Sequence, residues 1–166
     1  MADSTFLSES IIKTWKTGNR ITCYLIEHIP DEVWTELVPG YDKKTVQMIA
    51  GHLHNARCMW LKNTGNKAGV TVPEHVDRYS VSKKEVLKAL KVSSAEIIKV
   101  LEYYLPLEKN VSGFGLDVVH FLSYLISHEA HHRGQIIMVC RQLGHKLPED
   151  VTYGVWKWSK RAKEAE

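Results

Sequence analysis

Apolar residues recur every three or four positions in four long stretches of this chain, and no stretch alternates apolar with polar as a half-buried strand would. The first runs from about Phe6 to His28, with Leu7, Ile11, Ile12, Trp15, Ile21, Tyr24, Leu25 and Ile26 at helical spacing. Gly18 weakens its middle and Pro30 ends it. Asp31 to Leu37 predicts a short helical turn, and Pro39-Gly40 a break. The second stretch begins near Asp42, read as its N-cap, and reaches about Asn63, with Val46, Ile49, Leu53, Ala56 and Trp60 on its apolar side. A loop from Thr64 to about Val81 follows. The third opens on Ser82-Lys83-Lys84-Glu85, a capping-box pattern in which hydroxyl and carboxylate satisfy each other's backbone N–H groups. Val86, Leu87, Leu90, Ile97, Ile98, Leu101 and Leu105 carry it to Pro106. The fourth spans about Leu116 to Leu143, with Gly144 placed to end it and Pro148 beyond. The tail, with Tyr153, Trp156 and Trp158, reads as a short helix laid over the rest. Four long amphipathic helices without strands predict an all-α four-helix bundle with a short C-terminal extension, one domain over residues 1–166.

Composition narrows the function. Hydrophobic residues make up 44% and charged residues 25%, as in ordinary globular proteins. The net charge is +3, and Lys and Arg are scattered except in the tail around Lys157 to Lys163, which Glu164 and Glu166 close. Without a basic stripe, nucleic-acid binding is not expected. The N-terminal residues lack the basic and apolar regions of a secretory leader, and no run is long enough to span a membrane. Cys23, Cys58 and Cys140 are odd in number, far apart and set among apolar residues. They read as buried thiols of a protein from a reducing cytoplasm.

The histidines carry the candidate chemistry. Three of the nine fall in Ser127-His128-Glu129-Ala130-His131-His132-Arg133-Gly134-Gln135, inside the fourth helix. His128 and His132, four apart, share one helix face and can hold one metal ion together. His128 with His131 is a second possible pair, but Leu125, Ile136 and Val139 bracket His128 and His132 on the apolar side. Bundles build metal sites from facing helices. The second helix offers His52 and His54, about 200° apart around the axis, so one of them is expected to face inward. His52 lies with Ile49, Ala56 and Met59 and is favoured, with His54 as the alternative. Glu129 or Gln135 are candidates to accept the second ring N–H of a ligating histidine. His120, two turns before His128, is a candidate to line the same cavity. His28, His75 and His145 fall at helix ends or in loops and are read as surface residues. No phosphate-binding loop, nucleophile elbow or set of inward carboxylates of the di-iron kind is present; His128-Glu129-Ala130-His131-His132 superficially has the H-E-x-x-H form of a metalloprotease motif, but a metalloprotease is not the favoured reading.

Two stretches resemble the DinB-like (DinB/YfiT-like) superfamily of metal-binding four-helix bundles. The first runs from Thr45 through His52-Leu53-His54-Asn55-Ala56-Arg57 to Trp60-Leu61. The second, and more specific, is His128-Glu129-Ala130-His131-His132-Arg133-Gly134-Gln135-Ile136, similar to the family's H-x-x-x-H-R-G-Q signature. The resemblance implies one divalent metal ion per chain, nickel or zinc, held by His52, His128 and His132, with water or substrate on the remaining positions. It also implies a homodimer and, from some relatives, a thiol-dependent transferase or isomerase using a low-molecular-weight thiol such as bacillithiol or mycothiol. Two classes follow: a metal-dependent enzyme, a thiol S-transferase or a hydrolase, or a non-catalytic metal-binding stress-response protein. An open cavity beside the histidines separates the first from the second.

Overall fold

The computed structural model describes residues 2–107 and 109–166. They form six helices and no β-strand: α1 (Ala2–Glu27), α2 (Val46–Thr64), α3 (Lys83–Tyr104), α4 (Val118–Gln142), and the short α5 (Glu149–Gly154) and α6 (Trp158–Glu164). The predicted all-α architecture is what the chain adopts. None of the described helices is long and apolar enough to cross a membrane.

Local chemistry sets most boundaries. The Ser82 hydroxyl accepts from Glu85 N, and the Glu85 carboxylate accepts from Ser82 N, completing the capping box. Asp117 Oδ1 accepts from Val119 N and His120 N at the start of α4. At its end His145 N donates to Cys140 O and Gly144 N to Arg141 O, a Schellman closure that needs the positive φ of 83° found at Gly144. The expected cap of α2 is corrected: Thr45, not Asp42, takes the position, its hydroxyl accepting from Met48 N. Residues 37 and 45 pair in an isolated antiparallel bridge, which holds Asp42 in the preceding loop. α1 passes unbroken through Gly18, because Trp15, Ile21, Leu25 and Ile26 on either side are fully buried. Tertiary burial there outweighs the roughly 1 kcal/mol helix cost of one glycine.

α3 and α4 each pack between α1 and α2, which lie diagonally across the bundle. The tail forms two short helices where one was expected. α6 docks on α1: the Arg161 guanidinium lies 3.8 Å from the Tyr24 ring centroid, and Arg20 Nε donates to Glu164 at 2.9 Å.

The apolar interior falls into two halves. One is built around Ile21, Leu25, Ile49, Leu53, Leu90 and Ile136, the other around Trp15, Leu61, Ile97, Leu101, Phe121 and Leu125. Between them all four long helices contribute polar side chains: Asn19 and Thr22 from α1, His54 and Arg57 from α2, Ser93 from α3 and Glu129 from α4. Arg57 Nε and Nη2 converge on Glu129 Oε1 at 2.7 and 2.6 Å. Of the two, Nε makes the aligned hydrogen bond; Nη2 makes an ion contact. Arg57 Nη1 donates to Asn19 Oδ1 and to Leu90 O, both at 2.9 Å. Thr22 donates to Glu129 Oε2 at 2.7 Å. This layer ties α2 to α4 beside His128 and His132, with Glu129 between them in sequence.

Candidate metal centre

His52 sits in the middle of α2, and His128 and His132 one turn apart on α4. The buried stripe of α4 runs Phe121, Leu122, Leu125, Glu129, Ile136, Val139 and Cys140. Glu129 occupies its centre, which leaves His128 and His132 at its edge, half-buried. His52 flanks buried Leu53 in the same way. The three rings therefore meet where α2 and α4 face each other, on the outer side of the polar layer.

Their Nε2 atoms converge. His52 Nε2 and His132 Nε2 each lie 3.2 Å from His128 Nε2, and the three donor atoms fall within 4.8 Å of one another. Two nitrogens bound to one zinc-like ion at about 2.0–2.1 Å stand roughly 3.3 Å apart at a tetrahedral angle. The 3.2 Å spacings match that figure. The Nδ1–H of His132 donates to Gln135 Oε1 at 2.8 Å, which leaves the lone pair on Nε2, toward the other rings. Tyr124 lies nearly parallel to the His128 ring, with centroids 6.1 Å apart.

Burial lowers the pKa of all three. For His52 the positive fields of His128, Arg78 and Lys44 add to desolvation. His128 is lowered mainly by desolvation, against the opposing pull of Glu129. His132 is pushed down to about 4, chiefly by desolvation. Neutral imidazole is the metal-binding form, so burial keeps the cluster in the protonation state that binding a metal requires. Three neutral nitrogens converging on one point fit a divalent transition-metal ion, and this group can hold one.

The cluster opens to one side. A cavity of about 530 Å³ is lined by His52 and His132 together with Tyr41, Lys44, Met48, Ile49 and Arg78, among others. That is the size of a small-molecule site.

The remaining histidines do not join the cluster. His54, the alternative on α2, is 1% exposed, but it faces α3 and the loop before it. Its Nδ1 meets Ser93 Oγ at 3.1 Å, and its Nε2 meets Glu74 O at 2.9 Å and Cys58 Sγ at 3.2 Å. Both α2 histidines thus turn from solvent, in opposite directions, where one had been expected to face inward. Met59, placed on the His52 side, is exposed. His131 is exposed and lines a groove with Gly134 and Met138 that adjoins the cavity, sharing Tyr41, Lys44 and Ile49 with it. His120 does not reach the cavity; its Nδ1 pairs with Asp117 at 2.6 Å on the surface. His28 bonds to Tyr24 O, and His145 lies 3.8 Å from Glu32.

Of the two candidate partners for a ligating ring, Gln135 takes the role and Glu129 does not. Glu129 is instead the buried partner of Arg57, a pairing the sequence reading missed. A signal was present: Arg57 falls midway on the stripe Leu53–Arg57–Leu61, and Glu129 sits four after Leu125 and seven before Ile136. A charge at a core position of each of two helices that must face each other marks an ion pair.

A family model described as the DinB family matches residues 1–164. Among curated proteins and among solved structures, nothing matches the chain. The match spans nearly the whole sequence, and the chain belongs to the DinB family.

Proposed function

We propose that this chain holds one divalent metal ion through Nε2 of His52, His128 and His132, and that it acts as a metal-dependent enzyme on a small molecule bound in the adjoining cavity. The observation that carries this reading is the convergence of three ring nitrogens, two of them 3.2 Å from the third, at the wall of an open pocket. A purely structural ion is normally closed off by a fourth protein ligand. Among the described residues no further His, Cys, Asp or Glu joins this group. Nickel or zinc, as the family resemblance implies, suits imidazole donors. When bound, such an ion supplies Lewis acidity that lowers the pKa of a water or thiol beside it. The protein's own share is to keep three imidazoles neutral, to fix His132 through Gln135, and to hold α2 against α4 through Arg57 and Glu129.

Transfer from a low-molecular-weight thiol is the reaction class to test first. An external thiol fits better than one of the chain's own. Burial pushes Cys23, Cys58 and Cys140 up to about 11, so none is a ready thiolate at neutral pH. Homodimerisation is part of the proposal and rests on the family resemblance. Aromatic residues are enriched at interfaces; Trp15 and Trp34 are core residues here, while Phe6, Tyr79, Tyr153 and Trp156 are strongly exposed.

The test is metal analysis of protein purified without a histidine tag, followed by assays pairing small thiols with electrophiles on the loaded protein. One equivalent of metal and metal-dependent turnover are expected. Absence of stoichiometric metal would overturn the site, and full metal with no turnover across thiol and hydrolytic substrates would favour the non-catalytic class.

A further inference from the structure

The cavity beside His52 and His132 carries unbalanced positive charge. Lys43, Lys44 and Arg78 line it, against Asp42 alone of the acidic residues. Among the described residues neither Lys44 nor Arg78 has a carboxylate within ion-pair distance. Lys44 Nζ lies 5.0 Å from the Tyr41 ring centroid, which holds it at the cavity edge.

The placement of Arg78 is built into the fold. The segment before α3 is pinned to α2 by a reciprocal pair, Asn55 Nδ2 to Val76 O at 3.0 Å and Val76 N to Asn55 Oδ1 at 2.9 Å. His54 Nε2 meets Glu74 O in the same segment. The chain then crosses α2 at Gly51, the residue before His52. A Cβ at position 51 would stand 3.1 Å from Arg78 Cγ and 3.5 Å from Arg78 Cα. Glycine is thus what lets Arg78 lie so close to the histidine. The adjacent Asp77 is already engaged, accepting from Tyr79 N at 3.0 Å and Ser80 Oγ at 2.7 Å. The lowered pKa of His52, to which Arg78 and Lys44 both contribute, agrees with this closeness.

We propose that Arg78 and Lys44 form an oxyanion subsite in this cavity, which selects small molecules carrying carboxylate or phosphate oxygens close to the histidine cluster. The substrate class deepens the metal-enzyme reading, while the subsite itself stands on Arg78, Lys44 and the cavity. Three neutral ligands leave the charge of a divalent ion uncompensated, and two cations beside it raise the local potential further. An anion seated between them relieves both. A guanidinium fork suits two oxygens of one group, and the lysine adds a point charge.

Acetate and inorganic phosphate serve as probes, titrated at constant ionic strength into the metal-free chain by NMR and into the cobalt-loaded chain by visible absorption. Saturable binding is expected in both states, tighter when loaded. The stronger of the two probes identifies the source of the oxyanion. Arg78→Ala with Lys44→Met should weaken it about tenfold, leaving cobalt stoichiometry and melting temperature unchanged. Wild-type affinity in that variant, or no saturable binding of either probe to the wild type, overturns the subsite. Failure of the metal reading shows separately, as absent cobalt uptake before any anion is added. The metal-free titration then still decides the subsite.

Discussion

The Arg57–Glu129 layer and the His52–His128–His132 cluster come from the same two helices, with Glu129 between His128 and His132 in sequence, yet they are opposites. In the layer every charge meets its complement: arginine faces carboxylate, and Thr22 and Asn19 take up remaining capacity. It is closed, at 1% and 3% exposure for Arg57 and Glu129. In the cluster three groups of one kind point their donor atoms at each other and open on a cavity. The difference teaches how to tell structure from function among buried polar groups. A set that satisfies itself holds the fold, and a set of like groups that can do so only in part, as one ring N–H cannot serve both 3.2 Å contacts, is open to something added.

The largest effect that tests this contrast is loss of a cluster histidine. His128→Ala should reduce metal affinity by more than about a hundredfold, since second-sphere changes alone often cost that much. Its denaturation midpoint without metal should stay near wild type. Dialysis against metal followed by elemental analysis reads the first, and chemical denaturation the second. His131→Ala and His54→Asn are the matched controls, expected to retain metal.

The layer should respond in the reverse way. Arg57→Ala or Glu129→Ala leaves a buried charge alone and should cost about 3–5 kcal/mol. The pair Arg57→Met with Glu129→Leu should recover much of that loss, because two apolar groups need no partners. Undiminished stability in Glu129→Ala together with lost metal would erase the distinction between the two regions.

A smaller effect is expected at the support of a cluster histidine. Gln135→Ala removes the acceptor at His132 Nδ1. Metal affinity should fall about ten- to a hundredfold with little change in stability. An unchanged affinity would show that ring orientation comes from packing alone.

The smallest expected effect is on pH dependence. His132 titrates near 4 in the folded chain against an ordinary value of 6.5. Between those values the unfolded chain binds a proton that the folded one refuses. Stability of the metal-free protein should therefore decline as pH falls from 6.5 toward 4, and this group adds no further loss below that. Metal affinity, by the same reasoning, should persist to lower pH than free histidine at about 6.5 would allow. Melting curves of the metal-free protein between about pH 7 and pH 4.5 check the sign.

Periodicity alone determined four long helices, the capping box at Ser82, the glycine closure at Gly144 and the all-α class, because these depend on residues close in sequence. It also marked His52, His128 and His132, because i, i+4 spacing on a helix is local geometry and the family signature reads the same positions. Tertiary structure decided what depends on a second element. The bridge between residues 37 and 45 moved the α2 cap to Thr45. The loop before α3 drew His54 into the interior on the side away from His52. Packing of α2 against α4 paired Arg57 with Glu129, a residue that the sequence offered as a partner for a ligating histidine. Arg78 is the clearest case: nothing near it in sequence ties it to the His52–His128–His132 cluster. Only the crossing of its segment over Gly51 brings its charge to the cavity. Local spacing fixes which side chains share a face, but which charge stands opposite them is a property of the folded chain.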